Sequence, residues 1–140
     1  ELFPAAPAVE RVRLFIGLWP DAALRAAIAA HQQRWHWPAG LRPTRPERLH
    51  LTLHFLGEPP RDCVEPLQRL LARCAPGGRI GRLRLDRAML WKGGTAVLTP
   101  SDPPPGLFAL HARLGDALRE VGLHAVPTAS WQPHVTLARK

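Results

Sequence analysis

With 140 residues, 46% of them apolar and 21% charged, the chain is enough for one cored domain of ordinary soluble composition rather than two. No apolar run approaches the ~20 residues of a membrane-spanning helix, and the opening ELFPAAPAVE lacks the basic-then-apolar layout of a secretory signal. Nineteen Lys and Arg against eleven Asp and Glu leave a net charge of +8, which points to a polyanionic partner, nucleic acid first. Arg-richness from genomic base composition is the competing source of that charge. Cys63 and Cys74 are too few for a disulfide framework or a zinc cluster, so reduced thiols in a cytoplasmic protein are expected.

Val12 to Leu18 is apolar and partly alternating, which predicts a strand closed by Trp19-Pro20. Asp21 caps an Ala-rich amphipathic helix running to about Gln33, with Leu24, Ile28 and His31 on one face. A loop marked by Pro38, Gly40, Pro43 and Pro46 leads into a second alternating strand, Leu49 to Leu56, ended by Gly57 and Pro59-Pro60. Asp62 and Glu65 resemble a capping box. The helix it opens runs to about Cys74, burying Val64, Leu67, Leu70 and Leu71, and stops at Pro76-Gly77-Gly78. Arg79 to Leu85 places Leu on one face and Arg on the other, a strand. Thr95 to Thr99 is another, after the Gly93-Gly94 turn. A Pro-rich loop from Asp102 to Gly106 precedes a helix over about Leu107 to Val121, with Gly122 at its end. The last strand is about Trp131 to Ala138. This order, β-α-β-α then β-β-α-β, predicts an α+β fold with an internal duplication.

Two tetrads stand out: His50-Leu51-Thr52-Leu53 and His134-Val135-Thr136-Leu137. Alternate side chains of a strand share a face. His50 and Thr52 therefore point one way, while Leu51, Leu53 and Phe55 point into the core. His134 and Thr136 are set likewise against Val135 and Leu137. One His-x-Thr on a strand is an ordinary coincidence, but two at the same place in a repeated topology are not. A pair of imidazoles suits acid–base chemistry near neutral pH, one taking a proton from water and the other giving one to a leaving alkoxide. Threonine hydroxyls can donate to non-bridging phosphoryl oxygens as charge builds there. In a basic protein this set fits phosphodiester cleavage without a metal.

The stretches His50-Leu51-Thr52-Leu53-His54-Phe55-Leu56-Gly57-Glu58 and Pro133-His134-Val135-Thr136-Leu137-Ala138-Arg139 resemble the paired signature of the 2H phosphoesterase superfamily. Within it they are most similar to the RNA 2′,3′-cyclic phosphodiesterases, also called bacterial 2′-5′ RNA ligases. Arg13 to Leu18 and the helix after Pro20 are similar to that family's first strand and helix. The resemblance implies one bilobal domain over residues 1–140, lobes about 12–75 and 79–140, related by a pseudo-twofold. Antiparallel sheets would line a central cleft, with helices outside. It implies that His50 is the general acid for the departing 3′ oxygen and His134 the base that activates water, leaving a 2′-phosphate. Thr52 and Thr136 would hold the phosphate with Arg139, whose odd offset from His134 demands a bend, a bulge or its long side chain to reach the cleft. No cofactor or metal is implied, and the substrates would be RNA with 2′,3′-cyclic phosphate ends or cyclic nucleotides. Hydrolysis would dominate over the reverse 2′-5′ ligation. Family members continue past the second motif with further strands, which are expected to be missing from a chain ending at Lys140.

Other candidates carry less. His54 falls on the same strand face as His50, as a cleft wall or partly exposed residue, a site residue, or a zinc ligand with His50 and His134. His31, His36, His111 and His124 are expected at the surface. Phe15 is a base-stacking residue or a core one. Trp35, Trp37, Trp91 and Trp131 are half-buried anchors, or stacking platforms where exposed. Arg42, Arg45 and Arg48 enter the first motif and are placed to meet phosphate; Arg82, Arg84 and Arg87 form a second basic face. The alternatives to an RNA cyclic phosphodiesterase are a small cyclic nucleotide phosphodiesterase and a non-catalytic RNA-binding module.

Overall fold

The computed structural model describes residues 9–74 and 80–140. Its elements follow the expected α+β order: β1 (Leu14–Leu18), α1 (Ala22–Gln33), β2 (Arg42–Pro43), β3 (Leu51–Gly57), α2 (Val64–Cys74), β4 (Arg87–Trp91), β5 (Thr95–Thr99), α3 (Pro105–Glu120) and β6 (Val135–Arg139). All strands join one antiparallel sheet in the order β1-β3-β6-β5-β4, with β2 on the edge of β6 beside β3. The two sheets expected around a cleft are thus continuous. They meet through a single pair, Leu51 with Val135.

The helices form where the sequence gives them ends. The Asp21 carboxylate accepts from the Leu24 amide at 2.8 Å and caps α1. Pro105 occupies the first position of α3, where its missing N–H costs nothing, so that helix begins two residues before the expected Leu107. It stops at Gly122, whose φ of +81° is a conformation that a side chain resists. A 3-10 turn over Arg61–Cys63 leads into α2, so the helix starts later than a cap at Asp62 would place it.

One face of the sheet is covered. Leu51 and Leu53 of β3, Ala96 and Leu98 of β5, and Val135, Leu137 and Ala138 of β6 pack against Ile28 of α1, Leu67 and Leu70 of α2, and Leu107, Leu110, Leu114 and Leu118 of α3. Each fully buried leucine contributes roughly 1.5–3 kcal/mol. This core fixes which face the remaining side chains take.

Three register shifts interrupt the ladders, one of them at Leu56 near the end of β3, and the other two reset the face just beyond each tetrad. In β3, Gly17 pairs with Thr52 but Ile16 pairs with His54, so Leu53 is an extra residue. In β6, Val97 pairs with Thr136 but Ala96 pairs with Ala138, so Leu137 is extra. Each bulge inverts the alternation beyond it. His54 therefore turns into the core, where it is 2% exposed, and Phe55 turns out, 49% exposed. Both assignments are the reverse of the ones that strict alternation predicts. The Leu137 carbonyl at the second bulge accepts from the Thr44 amide and from the buried Gln32 Nε2, both at 2.8 Å.

The strand predicted over Arg79 to Leu85 is absent from its described part; Arg79 itself lies outside the described residues. Residues 80–86 have no regular structure, and the strand before β5 is Arg87–Trp91 instead. The alternation in the sequence is nonetheless real, because Leu83 and Leu85 pack on the core while Arg82 and Arg84 are exposed. Burial sets the period there without a ladder. The predicted stop at Pro76-Gly77-Gly78 also lies outside the described residues.

Candidate active site

His50 and His134 each stand one residue before the strand that carries their threonine. The antiparallel pair Leu51–Val135 means that, counting outward, His50 faces Thr136 and Thr52 faces His134 across the seam. The two tetrads thus converge on one patch of the open sheet face.

Their backbones orient both rings in the same way. His50 Nδ1 lies 2.6 Å from the Arg48 carbonyl and His134 Nδ1 lies 2.8 Å from the Gln132 carbonyl. A carbonyl only accepts, so Nδ1 carries the hydrogen in each ring and Nε2 is left for chemistry. His50 Nε2 is 3.0 Å from Thr52 Oγ1. With Nε2 unprotonated, that hydroxyl donates to it.

Burial holds the His134 pKa below the ordinary imidazole value, and the Arg139 and His50 charges lower it further. That influence of Arg139 fits the bulge at Leu137, which returns Arg139 to the face of His134 and Thr136. The odd offset noted in the sequence is resolved by the extra residue.

Aromatic rings wall the patch. Phe15 stacks on His50 at 4.6 Å and 25°, and Trp19 lies 4.7 Å from the same ring. Trp91 lies 4.5 Å from His134. Phe15 is 40% and Trp19 52% exposed, so Phe15 is a surface ring rather than a core one. Trp19 carries no sequence signal of this placement, because Pro20 beside it makes it read as a strand terminator. Gly17 makes room for His50: a Cβ there would sit 3.1 Å from the Leu51 carbonyl and 3.4 Å from the His50 ring. Gly17→Val is expected to cost about 1–3 kcal/mol by overpacking and to shift the His50 imidazole resonances. An unchanged urea midpoint with unmoved resonances would contradict this packing.

His54 and His111 lie on the covered side of the sheet, His54 turned away from the face of His50. They stack at 3.9 Å beneath the patch, His54 Nε2 donating to the His111 carbonyl at 2.9 Å. His111, expected at the surface, is fully buried between His54 and Trp131 and meets Thr128 Oγ1 at 2.7 Å. Trp131 in turn donates its indole N–H to the Thr52 carbonyl at 3.2 Å. It ties the first motif to the segment entering the second, across a seam with only one ladder pair. Arg45 is exposed in the turn before the first motif, with no hydrogen-bonded or ionic side-chain partner among the described residues. Among the described residues no group of three His, Cys, Asp or Glu side chains is placed to hold a metal ion. No described helix is long and apolar enough to cross a membrane.

An antiparallel α+β sheet carrying paired His-x-Thr strands on its open face defines a narrow class of protein. The family model of the 2′-5′ RNA ligase superfamily matches residues 19–140, and the chain belongs to that family. It is 34% identical over 145 aligned positions to the RNA 2′,3′-cyclic phosphodiesterase of Thermus thermophilus, covering 92% of this chain and 69% of that protein. It is 35% identical over 133 positions to the Escherichia coli protein of the same name, covering 93% of this chain and 73% of the relative. The crystal structure of apo E. coli LigT superposes with a TM-score of 0.79 at 31% identity, covering 93% of this chain and 73% of LigT.

Proposed function

We propose that this chain hydrolyses 2′,3′-cyclic phosphate ends of RNA to 2′-phosphates, using two histidines and no metal. The observation that carries the reading is the matched pair of imidazoles. Each is pinned through Nδ1–H to a carbonyl two residues upstream, and each leaves Nε2 to the same open patch. The names of the relatives at 34–35% identity support the substrate.

In this reading His134 is the base. Held below the ordinary imidazole value by burial first and by Arg139 and His50 next, it is neutral near pH 7 and takes a proton from water through Nε2. The water oxygen attacks phosphorus, the bond to the 3′ oxygen breaks, and protonated His50 gives its Nε2 proton to that oxygen. Thr52 and Thr136 donate to the non-bridging oxygens, and Arg139 adds a fixed positive charge beside them. With a 5′-hydroxyl in place of water as the nucleophile, the same two proton transfers in the same direction, again breaking the bond to the 3′ oxygen, would join a cyclic end to a second strand in a 2′-5′ linkage.

The matched bulges and matched Nδ1 anchors also support reading the chain as two lobes, about 12–75 and 79–140, that arose by duplication. Phe55 and Arg139 then occupy equivalent places, five residues after each histidine.

The test is turnover of a short RNA ending in a 2′,3′-cyclic phosphate, in excess chelator. A 2′-phosphate product at an undiminished rate is expected. A 3′-phosphate product would reverse the bond that breaks, and loss of activity in chelator would show that a metal takes part.

A further inference from the structure

We propose that Arg42, set against Arg139, forms a second anion subsite for the internucleotide phosphate next to the cyclic end, so that the substrate is an RNA strand rather than a mononucleotide. The inference rests on the function proposed above. It starts from an unusual pairing: Arg42 and Arg139 stand directly opposite each other across the β2–β6 ladder. Residues so paired have Cα atoms about 4.5–5.5 Å apart and side chains on one face, and like charges in that position are destabilising.

Nothing described offsets them. The ion pairs among the described residues are Arg61–Glu10, Arg69–Glu65 and Arg119–Asp116, and both Arg42 and Arg139 are exposed. An anion is what relieves such a pair. Arg139 serves the phosphate at the histidines, and a second phosphate on the Arg42 guanidinium fork offsets the remaining like charge.

The placement is held firmly. β2 is only two residues long, yet the Thr44 amide after it bonds the Leu137 carbonyl at 2.8 Å, and buried Gln32 bonds the Thr44 and Leu137 carbonyls at 3.0 and 2.8 Å. Pro43 restricts Arg42 to extended backbone. The bulge at Leu137 returns Arg139 to the histidine face, and Arg42 goes with it. β2 and β3 share one edge of β6, so Arg42 and His50 lie on the same side of the second motif strand. A strand whose cyclic phosphate sits between the histidines has its next phosphate within reach of Arg42. Contacts of this kind carry no base information, so the gain is independent of sequence.

The experiment compares a nucleoside 2′,3′-cyclic phosphate with a dinucleotide ending in one, for wild type and Arg42→Ala. Wild type is expected to favour the dinucleotide, and R42A to lose roughly tenfold of that preference, the order of one charge-assisted phosphate contact. A dinucleotide with an uncharged methylphosphonate link should bring wild type down to the R42A level and leave R42A unmoved. The slope of log kcat/KM against log salt for the dinucleotide should fall by about 0.7 in R42A. Equal loss on both substrates, or a methylphosphonate turned over as fast as the phosphodiester by wild type, would overturn the subsite. Should wild type turn over neither substrate, the catalytic reading fails by itself. Binding of the 2′-phosphorylated dinucleotide, roughly tenfold weaker in R42A, still decides the subsite.

Discussion

His134→Ala is expected to lower turnover of a 2′,3′-cyclic phosphate by roughly 10²–10⁴-fold, and His50→Ala by a similar factor. In the proposed mechanism each ring supplies one proton transfer, and no other described side chain stands ready to replace it. His54 is turned away by the bulge at Leu53 and is 2% exposed in the core. The losses should not multiply, because a base without its acid partner has little transition state left to stabilise. Stability should change little, since both imidazoles stand on the open face and are part-exposed. The pH dependence adds a check. His134 lies below the ordinary imidazole value of about 6.5, chiefly through burial, so the acid limb of kcat/KM should fall below that value. Arg139→Gln should move the limb upward only part of the way, because burial, the larger cause, remains. More than about a tenth of wild-type activity in His134→Ala would remove His134 from the base role.

The second large effect is on stability. Unfolding midpoints should be highest above about pH 6.5 and fall steadily toward pH 4. His111 is fully buried, and burial, with His54 and Arg119 close by, pushes its pKa down to about 4. His54 beside it is lowered for the same first reason. Its Nδ1 is buried with no partner, so a proton there would be an unsolvated charge. In the unfolded chain both rings take protons near the ordinary value. The unfolded state therefore binds more protons between the two values, and stability is lost as pH falls through that window. For His111 alone the lowering corresponds to on the order of 3 kcal/mol. Urea unfolding at pH 7, 6, 5 and 4 measures it, and His111→Phe, which keeps a ring against Trp131, should flatten the profile. A midpoint independent of pH from 7 to 4 would mean that these rings are hydrated and free to charge.

How far the site was legible depended on distance from the bulges. Up to Thr52 and Thr136 the two-residue period holds, and His50, Thr52, His134 and Thr136 all lie on the face that alternation gave them. Beyond Leu53 and Leu137 it fails by one residue. The odd offset of Arg139 was itself a signal that β6 carries an extra residue. The same count applied to the first motif would have sent His54 inward and Phe55 outward. Trp19 gave no comparable signal, because a Trp before Pro reads equally as a strand end and as a wall of the site.

The sequence by itself determined the class, the helices and the two tetrads, because capping, helical spacing and strand alternation are local and are written in neighbouring residues. It also marked Leu83 and Leu85 as inward, since burial follows pattern whether or not a ladder forms. Only the tertiary structure decided that the two halves form one sheet, that Arg42 opposes Arg139, and that Trp131 spans the seam to Thr52. Those facts are pairings between residues far apart in the chain, and register between strands is set by how bulges and helices pack in three dimensions.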